Sequence, residues 1–286
     1  MNKKHFSMLI ILAAIWGASF MFMRILSPVL GPVLTASFRL LIGGIVVLAY
    51  YKYKGINLNL KADIKIFVLL GIISFAAPYF LFSWAALYIP SGVSAVLNST
   101  SPMFSFIISM LIFNERINLQ KIFGLFVGTL GVYIISINSI SFDDKSSILG
   151  VLACIGASLF YAISGALIQT VAKHVDSRSL AVGNQLFGGL LLLPLVYFYP
   201  VTGVINFNIV ATLIVFGVLG SGIASIMYFA LMKEVGPLKT LTVTYLLPVF
   251  GLFWGYVILN EQLTLSFVIG LVLILIGVFS LTNKKA

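Results

Sequence analysis

Residues 101–131 read SPMFSFIISMLIFNERINLQKIFGLFVGTLG. An apolar helix carrying Pro102 runs into Asn114-Glu115, a short polar turn follows, and a second apolar helix carries Gly124 and Gly131. The pattern returns 146 residues on. Pro248 answers Pro102, Asn260-Glu261 answers Asn114-Glu115, and Gly270 and Gly277 answer Gly124 and Gly131. The chain has three glutamates, and two of them occupy this one equivalent position. An internal repeat of this kind sets the architecture before any single residue does.

Composition sets the class. The chain is 61% hydrophobic and 8% charged, where a soluble domain carries about 25% charged residues. No Asp, Glu, Lys or Arg occurs in the 49 residues between Lys65 and Glu115, or in the 54 between Arg178 and Lys233. One bilayer crossing needs about 20 residues, so each run holds two. The single cysteine, Cys154, permits no intrachain disulfide and sits in an apolar run as a small packing residue.

Read in order, the chain divides into ten predicted spans. Lys3 and Lys4 precede an apolar run, Phe6 to Met23, that lacks a polar cleavage region and reads as an uncleaved first span. The others are Pro32–Tyr51, Ile66–Tyr88, Val93–Phe113, Leu119–Ile137, Ile148–Val171, Ser179–Tyr199, Asn208–Met232, Leu238–Leu259 and Leu265–Thr282. The polar stretch 138–147 separates a first five-span repeat, 1–137, from a second, 148–286. The expected fold is an all-α integral membrane protein of ten transmembrane helices in two inverted five-helix repeats, forming one unit.

Charge gives the orientation. With the N-terminus inside, fourteen basic residues lie on the inner side, and only Arg24, Arg39 and Lys145 lie at or near the outer side. This is a strong positive-inside bias and predicts cytoplasmic N- and C-termini. It also accounts for the net charge of +10, so no nucleic-acid partner is called for. Five is odd, so a second copy inserts upside down. The turn between spans two and three is basic and that between three and four is uncharged. In the second half the pattern swaps, with charge at Lys233 and Lys239 and none in Pro200–Phe207. Gly43 and Gly189, and Gly71 and Gly217, keep the same 146-residue offset, while Gly17-Ala18-Ser19 answers Gly156-Ala157-Ser158 at 139. Inverted halves that exchange conformations open a path to one side and then the other, with the substrate near the midplane.

These features resemble the EamA-type members of the drug/metabolite transporter superfamily. The resemblance rests on Trp16-Gly17-Ala18-Ser19-Phe20 in span one, Pro32 and Phe38-Arg39 in span two, and both Pro…Asn-Glu…Gly…Gly units, and it covers essentially the whole chain. It implies a bacterial inner-membrane carrier, often an exporter of amino acids or related metabolites. The cavity would be lined mainly by spans one, three, four, six, eight and nine. The alternative is a flippase for a lipid or lipid-linked metabolite.

Polar and aromatic residues within spans are the candidates for the path. Asn98 precedes Pro102, Thr244 and Tyr245 precede Pro248, and Asn98 and Thr244 are equivalent through the repeat, so they are candidates to face each other. An amide is costly in lipid and finds a partner. The other reading for the Ser and Thr residues near the prolines is that they bond back to their own helices, where proline has freed a carbonyl. Trp16, Tyr79, Tyr161 and Tyr228 lie within spans, and Ser19 shares the first-span motif. For the aromatics the alternative to cavity lining is packing. Together Trp16, Ser19, Tyr79, Asn98, Tyr161, Tyr228, Thr244 and Tyr245 form the expected substrate site. An aromatic cavity with few charges suits amphipathic or aromatic metabolites, or cationic groups over ring faces.

The remaining charges read as structural. Glu115 and Glu261 are expected to cap the helix that follows each, and Arg24 and Arg39 to snorkel toward the surface. Arg39 as an attractor of anionic substrate is the other reading. His5 and His174 lie at the inner surface and no Asp or Glu lies deep in a span, so transport by diffusion or exchange is expected without a proton relay. No phosphate loop, zinc spacing or nucleophile triad occurs, so no cofactor, ATP-driven pumping or enzymatic chemistry is expected.

Overall fold

A computed structural model describes residues 3–61, 63–113, 118–139, 145–236, 240 and 242–282. Among these every regular element is a helix. Apolar segments cannot leave backbone amides unpaired away from water, and a helix satisfies them within one segment. In chain order the helices are α1 (Lys3–Tyr53), α2 (Ile64–Ala85), α3 (Ser91–Asn98), α4 (Ser101–Phe113), α5 (Leu119–Ser139) and α6 (Lys145–Thr170). Then follow α7 (Ser177–Leu192, tightening over Leu193–Tyr197), α8 (Phe207–Val235), α9 (Val243–Leu259) and α10 (Leu265–Thr282).

Six stretches are long and apolar enough to cross a membrane: Lys3–Tyr53, Ile64–Ala85, Ser91–Phe113, Lys145–Thr170, Ser177–Tyr197 and Phe207–Val235. Three shorter apolar helices accompany them, Leu119–Ile135, Val243–Leu259 and Leu265–Ser280. The chain is an all-helical, multi-pass membrane protein. The ten predicted spans are reached from these elements only by dividing Lys3–Tyr53 and counting each shorter helix as a crossing.

That division has a physical basis at Gly31. At φ 77°, ψ 158° its backbone is in a region that side chains disfavour. A Cβ there would also approach the Tyr199 and Pro200 carbonyl oxygens at 3.0 and 3.1 Å. Pro32 has no N–H to give the Pro28 carbonyl four residues back. The Thr202 hydroxyl donates to that carbonyl instead, at 2.7 Å, while the Thr202 and Gly203 amides donate to the Val29 carbonyl. The two legs of α1 return alongside one another, and Arg39 on the second reaches Ser19 on the first.

The predicted fourth span is two helices, because α3 ends at Asn98 and α4 starts at Ser101. Pro102 leaves the Asn98 carbonyl without its helical donor, and the Ser101 hydroxyl takes that place at 2.8 Å. The Thr100 hydroxyl donates to the Leu97 carbonyl at 2.7 Å. At these two residues the helix-internal reading holds.

Close packing is set by glycines. A Cβ on Gly131 would lie 2.6 Å from the Gly270 carbonyl oxygen, and one on Gly277 would lie 2.6 Å from both Gly124 O and Gly128 N. Helices α5 and α10 therefore touch backbone to backbone, antiparallel. Shifting the Gly124–Gly277 contact by 146 residues converts it into Gly270–Gly131. A second pair behaves alike. Gly71 meets the Gly188 backbone, and Gly217 meets Ile42; each contact is the other moved by 146. The GxxxG pairs also face this chain's own residues: Gly128 meets Met103, Gly251 meets Ala95, and Gly255 meets Glu261 and Ser91. The largest core cluster draws on both halves, joining Phe20, Phe82 and Leu97 to Cys154, Phe216 and Leu247.

Glu261 corrects an expectation. It does not cap α10, which follows it. Its carboxylate accepts from the Ser91 amide at 2.6 Å, the Ser91 hydroxyl at 3.0 Å and the Gly92 amide at 3.0 Å, capping α3 from the other half of the chain. Asn260 is left-handed at φ 54°, ψ 33° and ends α9. That turn directs Glu261 toward Ser91, and Gly255 leaves room for its carboxylate. Asn114, Glu115, Arg116, Lys239, residues 140–144 of the 138–147 stretch and the predicted start of span nine lie outside the described residues.

Candidate functional site

Two helices carry a widened π-type turn, α2 over Gly71–Ala76 and α8 over Phe216–Ile223. The two segments are again 146 residues apart. Such turns insert a residue, shift the face presented by the helix beyond them, and recur at functional sites. Small residues favour them here: Gly71 in the first, and Gly217, Gly220 and Gly222 in the second.

Arg39 bonds the second and stacks on Tyr79, about one turn beyond the first. It is 4% exposed, so it does not snorkel as expected. Its Nε donates to the Ser221 hydroxyl at 2.9 Å, and Nη2 donates to the Ser19 hydroxyl at 3.1 Å and the Gly220 carbonyl at 3.5 Å. The guanidinium stands 4.0 Å from the Tyr79 ring centre and 4.4 Å from that of Phe216. Cation–π contacts of this kind strengthen where water is excluded. Arg24 likewise turns inward, donating to the Ala86 carbonyl at the end of α2.

Four of the expected site residues gather near Arg39, and a fifth, Tyr228, packs on one of them. Ser19 bonds it, and Tyr79 stacks on it. The Tyr161 phenol neighbours that of Tyr79. Trp16 lies one helical turn before Ser19 and packs on Tyr228, with ring centres 5.3 Å apart. Tyr161 packs on Phe82, 6.1 Å away.

The other three lie along α3 and α9. Tyr245 packs against the main core cluster, and Thr244 is half-buried near it. Asn98 ends α3 with its Oδ1 buried and without a hydrogen-bond partner among the described residues. In the α3–α9 contact Ala95 meets Gly251 and Ser91 meets Gly255. This antiparallel register carries Asn98 toward the level of Pro248, about a turn from Thr244.

Sequence reasoning undervalued Arg39 and did not single out Ser221, Asn184 or Gln185. A signal for Arg39 was present. It continues a stripe of residues, Pro32, Ala36, Leu40, Gly43 and Val47, which the fold buries, while Phe38 and Ile45 face outward. An ionisable side chain bordering a buried stripe points into the bundle. Gln185 is the residue 146 positions after Arg39. Its Nε2 donates to the Ala181 carbonyl at 2.9 Å and to Ser225 at 3.4 Å, while its Oε1 and Asn184 Oδ1 are buried without partners among the described residues. Arg39 already occupies one ring face of Tyr79. Among the described residues no group of three His, Cys, Asp or Glu is placed to hold a metal.

Comparison with known proteins finds relatives along essentially the whole chain. The model of the EamA-like transporter family matches residues 4–137 and again 148–283. The chain is 24% identical to "Uncharacterized transporter YoaV" of Bacillus subtilis, over 93% of this chain and 92% of that protein. It is 28% identical to "Uncharacterized transporter YdfC" of the same organism, over 97% and 92%. An archaeal relative, an "Uncharacterized transporter" of Archaeoglobus fulgidus, is 24% identical over 99% and 100%. A solved crystal structure at 17% identity shares the fold with a TM-score of 0.69, covering 98% of this chain and 97% of that one.

Proposed function

The chain belongs to the EamA-like transporter family, and from that membership we propose that it is a secondary transporter exporting or exchanging amino acids or related small metabolites. It works by alternating access across a bacterial inner membrane, with both termini cytoplasmic. Ten spans form two five-span repeats, 1–137 and 148–286, of opposite orientation. The single observation that carries this reading is the set of contacts that interconvert under a 146-residue shift, Gly124–Gly277 with Gly131–Gly270 and Gly71–Gly188 with Gly217–Ile42. Reciprocal contacts of that kind are what a twofold relation between two halves produces. An inverted pair of halves is the known physical route to alternating access.

The substrate sits between the halves, near Arg39, against Trp16, Ser19, Tyr79, Asn98, Tyr161, Tyr228, Thr244 and Tyr245. The transporter uses no cofactor and catalyses no bond-making step. Its partners are the metabolite and the surrounding lipid, which meets outward apolar side chains such as Phe126 and Phe279. Because the described acids Asp63, Asp176, Glu234 and Glu261 sit at helix ends and no Asp or Glu falls deep in a predicted span, flux runs without an internal carboxylate relay.

Efflux of a labelled metabolite panel from proteoliposomes containing the purified chain tests the reading. Saturable loss of one class of small metabolite, absent from protein-free vesicles, is the expected result. No difference from protein-free vesicles across the panel would sink it. A pH-gradient-driven flux abolished by one span-internal substitution would remove the relay-free mechanism alone.

A further inference from the structure

We propose that Arg39 is the anchor for an anionic group of the transported molecule, a carboxylate, which makes the substrate class carboxylic acids rather than amines or neutral amides. This deepens the transporter reading and rests on it for the route by which the acid arrives. The binding site itself stands on the geometry.

A buried cation is costly unless a counter-charge or a full set of acceptors meets it. Among the described residues no carboxylate meets Arg39. Asp63 pairs with His174, Asp176 with Arg178, Glu234 with His5, and Glu261 with the start of α3. Nε and Nη2 are used on Ser221, Ser19 and Gly220, whereas Nη1 donates to no acceptor among the described residues. The Tyr79 and Phe216 rings fix the guanidinium in place. What remains is an oriented, unspent donor edge on a buried charge, the half of a fork that a carboxylate completes.

The setting favours a ligand over a tie between helices. A neutral residue making the same three bonds would join α1 and α8 at lower desolvation cost. At the equivalent place in the second half, 146 residues on, stands the uncharged Gln185, which ties α7 to Ser225 of α8 at 3.4 Å. The charge is therefore confined to one of two equivalent places, so a single anionic group is recognised.

The test compares benzoate with benzamide, which differ in the charge and share the ring. Thermal unfolding of the purified chain in detergent is followed at constant ionic strength as each is titrated. Benzoate should raise the midpoint saturably, with benzamide weaker by about tenfold or more, the scale of a charge-assisted hydrogen bond. R39Q should abolish the benzoate shift, and R39K, which keeps the charge but not the fork, should weaken it. Equal shifts for the two compounds, no shift with either, or a benzoate shift that survives R39Q would overturn the proposal. Should R39Q fail to fold, the acid–amide comparison on the unaltered protein decides. Benzoate binding without any metabolite flux sinks the transporter reading and leaves the Arg39 site. Flux of amides as fast as their acids sinks the Arg39 site and leaves the transporter.

Discussion

Gly131 and Gly270 meet so closely that a Cβ on either would enter the other's helix: one on Gly131 would come 2.6 Å from Gly270 O, and one on Gly270 would come 2.9 Å from Gly131 O. Seven residues away along each helix, in opposite directions, Gly124 and Gly277 meet in the same manner. The glycines that mark the repeat in the sequence are thus the surface on which its two copies touch. Helix contact in lipid gains little from hydrophobicity and depends on such close approach.

Gly277→Ala should therefore destabilise the protein by about 1–3 kcal/mol, as overpacking does. The new Cβ would stand 2.6 Å from the Gly124 and Gly128 backbones, which cannot rotate away. Gly165→Ala is the control: nothing lies within 4 Å of its Cβ position. It should be neutral or stabilising by about 0.5–1 kcal/mol, the helical preference for alanine. Unfolding midpoints of the two variants in detergent check this, and equal shifts would contradict the α5–α10 packing.

Glu261→Ala should cost about 1–2 kcal/mol, since it strips the acceptors from the first turn of α3. Glu261→Gln should cost nearly as much. One of its two side-chain positions becomes a donor facing the Ser91 and Gly92 donors. Hydrogen exchange at Ser91–Gly92 is the direct measurement: it should quicken in both variants, while unchanged protection would remove the cap.

Tyr79→Ala removes a ring face under Arg39 and should depress flux of the transported metabolite strongly, whereas Tyr79→Phe keeps the face and should retain more of it. Tyr228→Ala removes the partner of Trp16 and should also lower flux. Proteoliposome efflux for the three variants decides. Unchanged transport in both alanine variants would take Tyr79 and Tyr228 out of the site.

Cysteine labelling reports the orientation. Cys154 is fully buried and should resist maleimide in the folded protein. In a Cys154→Ala background, Val204→Cys, on an exposed loop before α8, should react with an impermeant maleimide added to whole cells. Lys54→Cys, at the other end of α1, should react only after permeabilisation. The reverse pattern would invert the proposed topology.

Much of the helical architecture was legible because lipid solvent leaves few choices: apolar runs of the right length become helices wherever they fall. Turn chemistry was readable too, in Pro32 and Pro102. The depth of each break was not. Proline says that a carbonyl is freed, but which group answers it is a matter of neighbours. At Asn98 the answer came from Ser101, three residues away, and at Pro28 from Thr202, far along the chain.

The candidate site divides in the same way. Residue type pointed to Trp16, Ser19, Tyr79 and Tyr161, because aromatic and polar side chains inside spans need partners. It did not reveal that Tyr79 spends a face on Arg39, or that Ser19 meets that same guanidinium. Arg39 near a helix end reads as a snorkelling residue until its neighbours on α8 are known.

By itself the sequence determined the membrane class, the family resemblance and the 146-residue correspondence, since composition, run length and spacing are properties of the chain alone. Only the tertiary structure decided that Arg39 is buried against Ser221 and that Glu261 caps α3 rather than α10. Those bonds join residues 182 and 170 positions apart. Periodicity assigns a side chain to a face of its own helix, but the partner on that face is chosen by how distant helices pack.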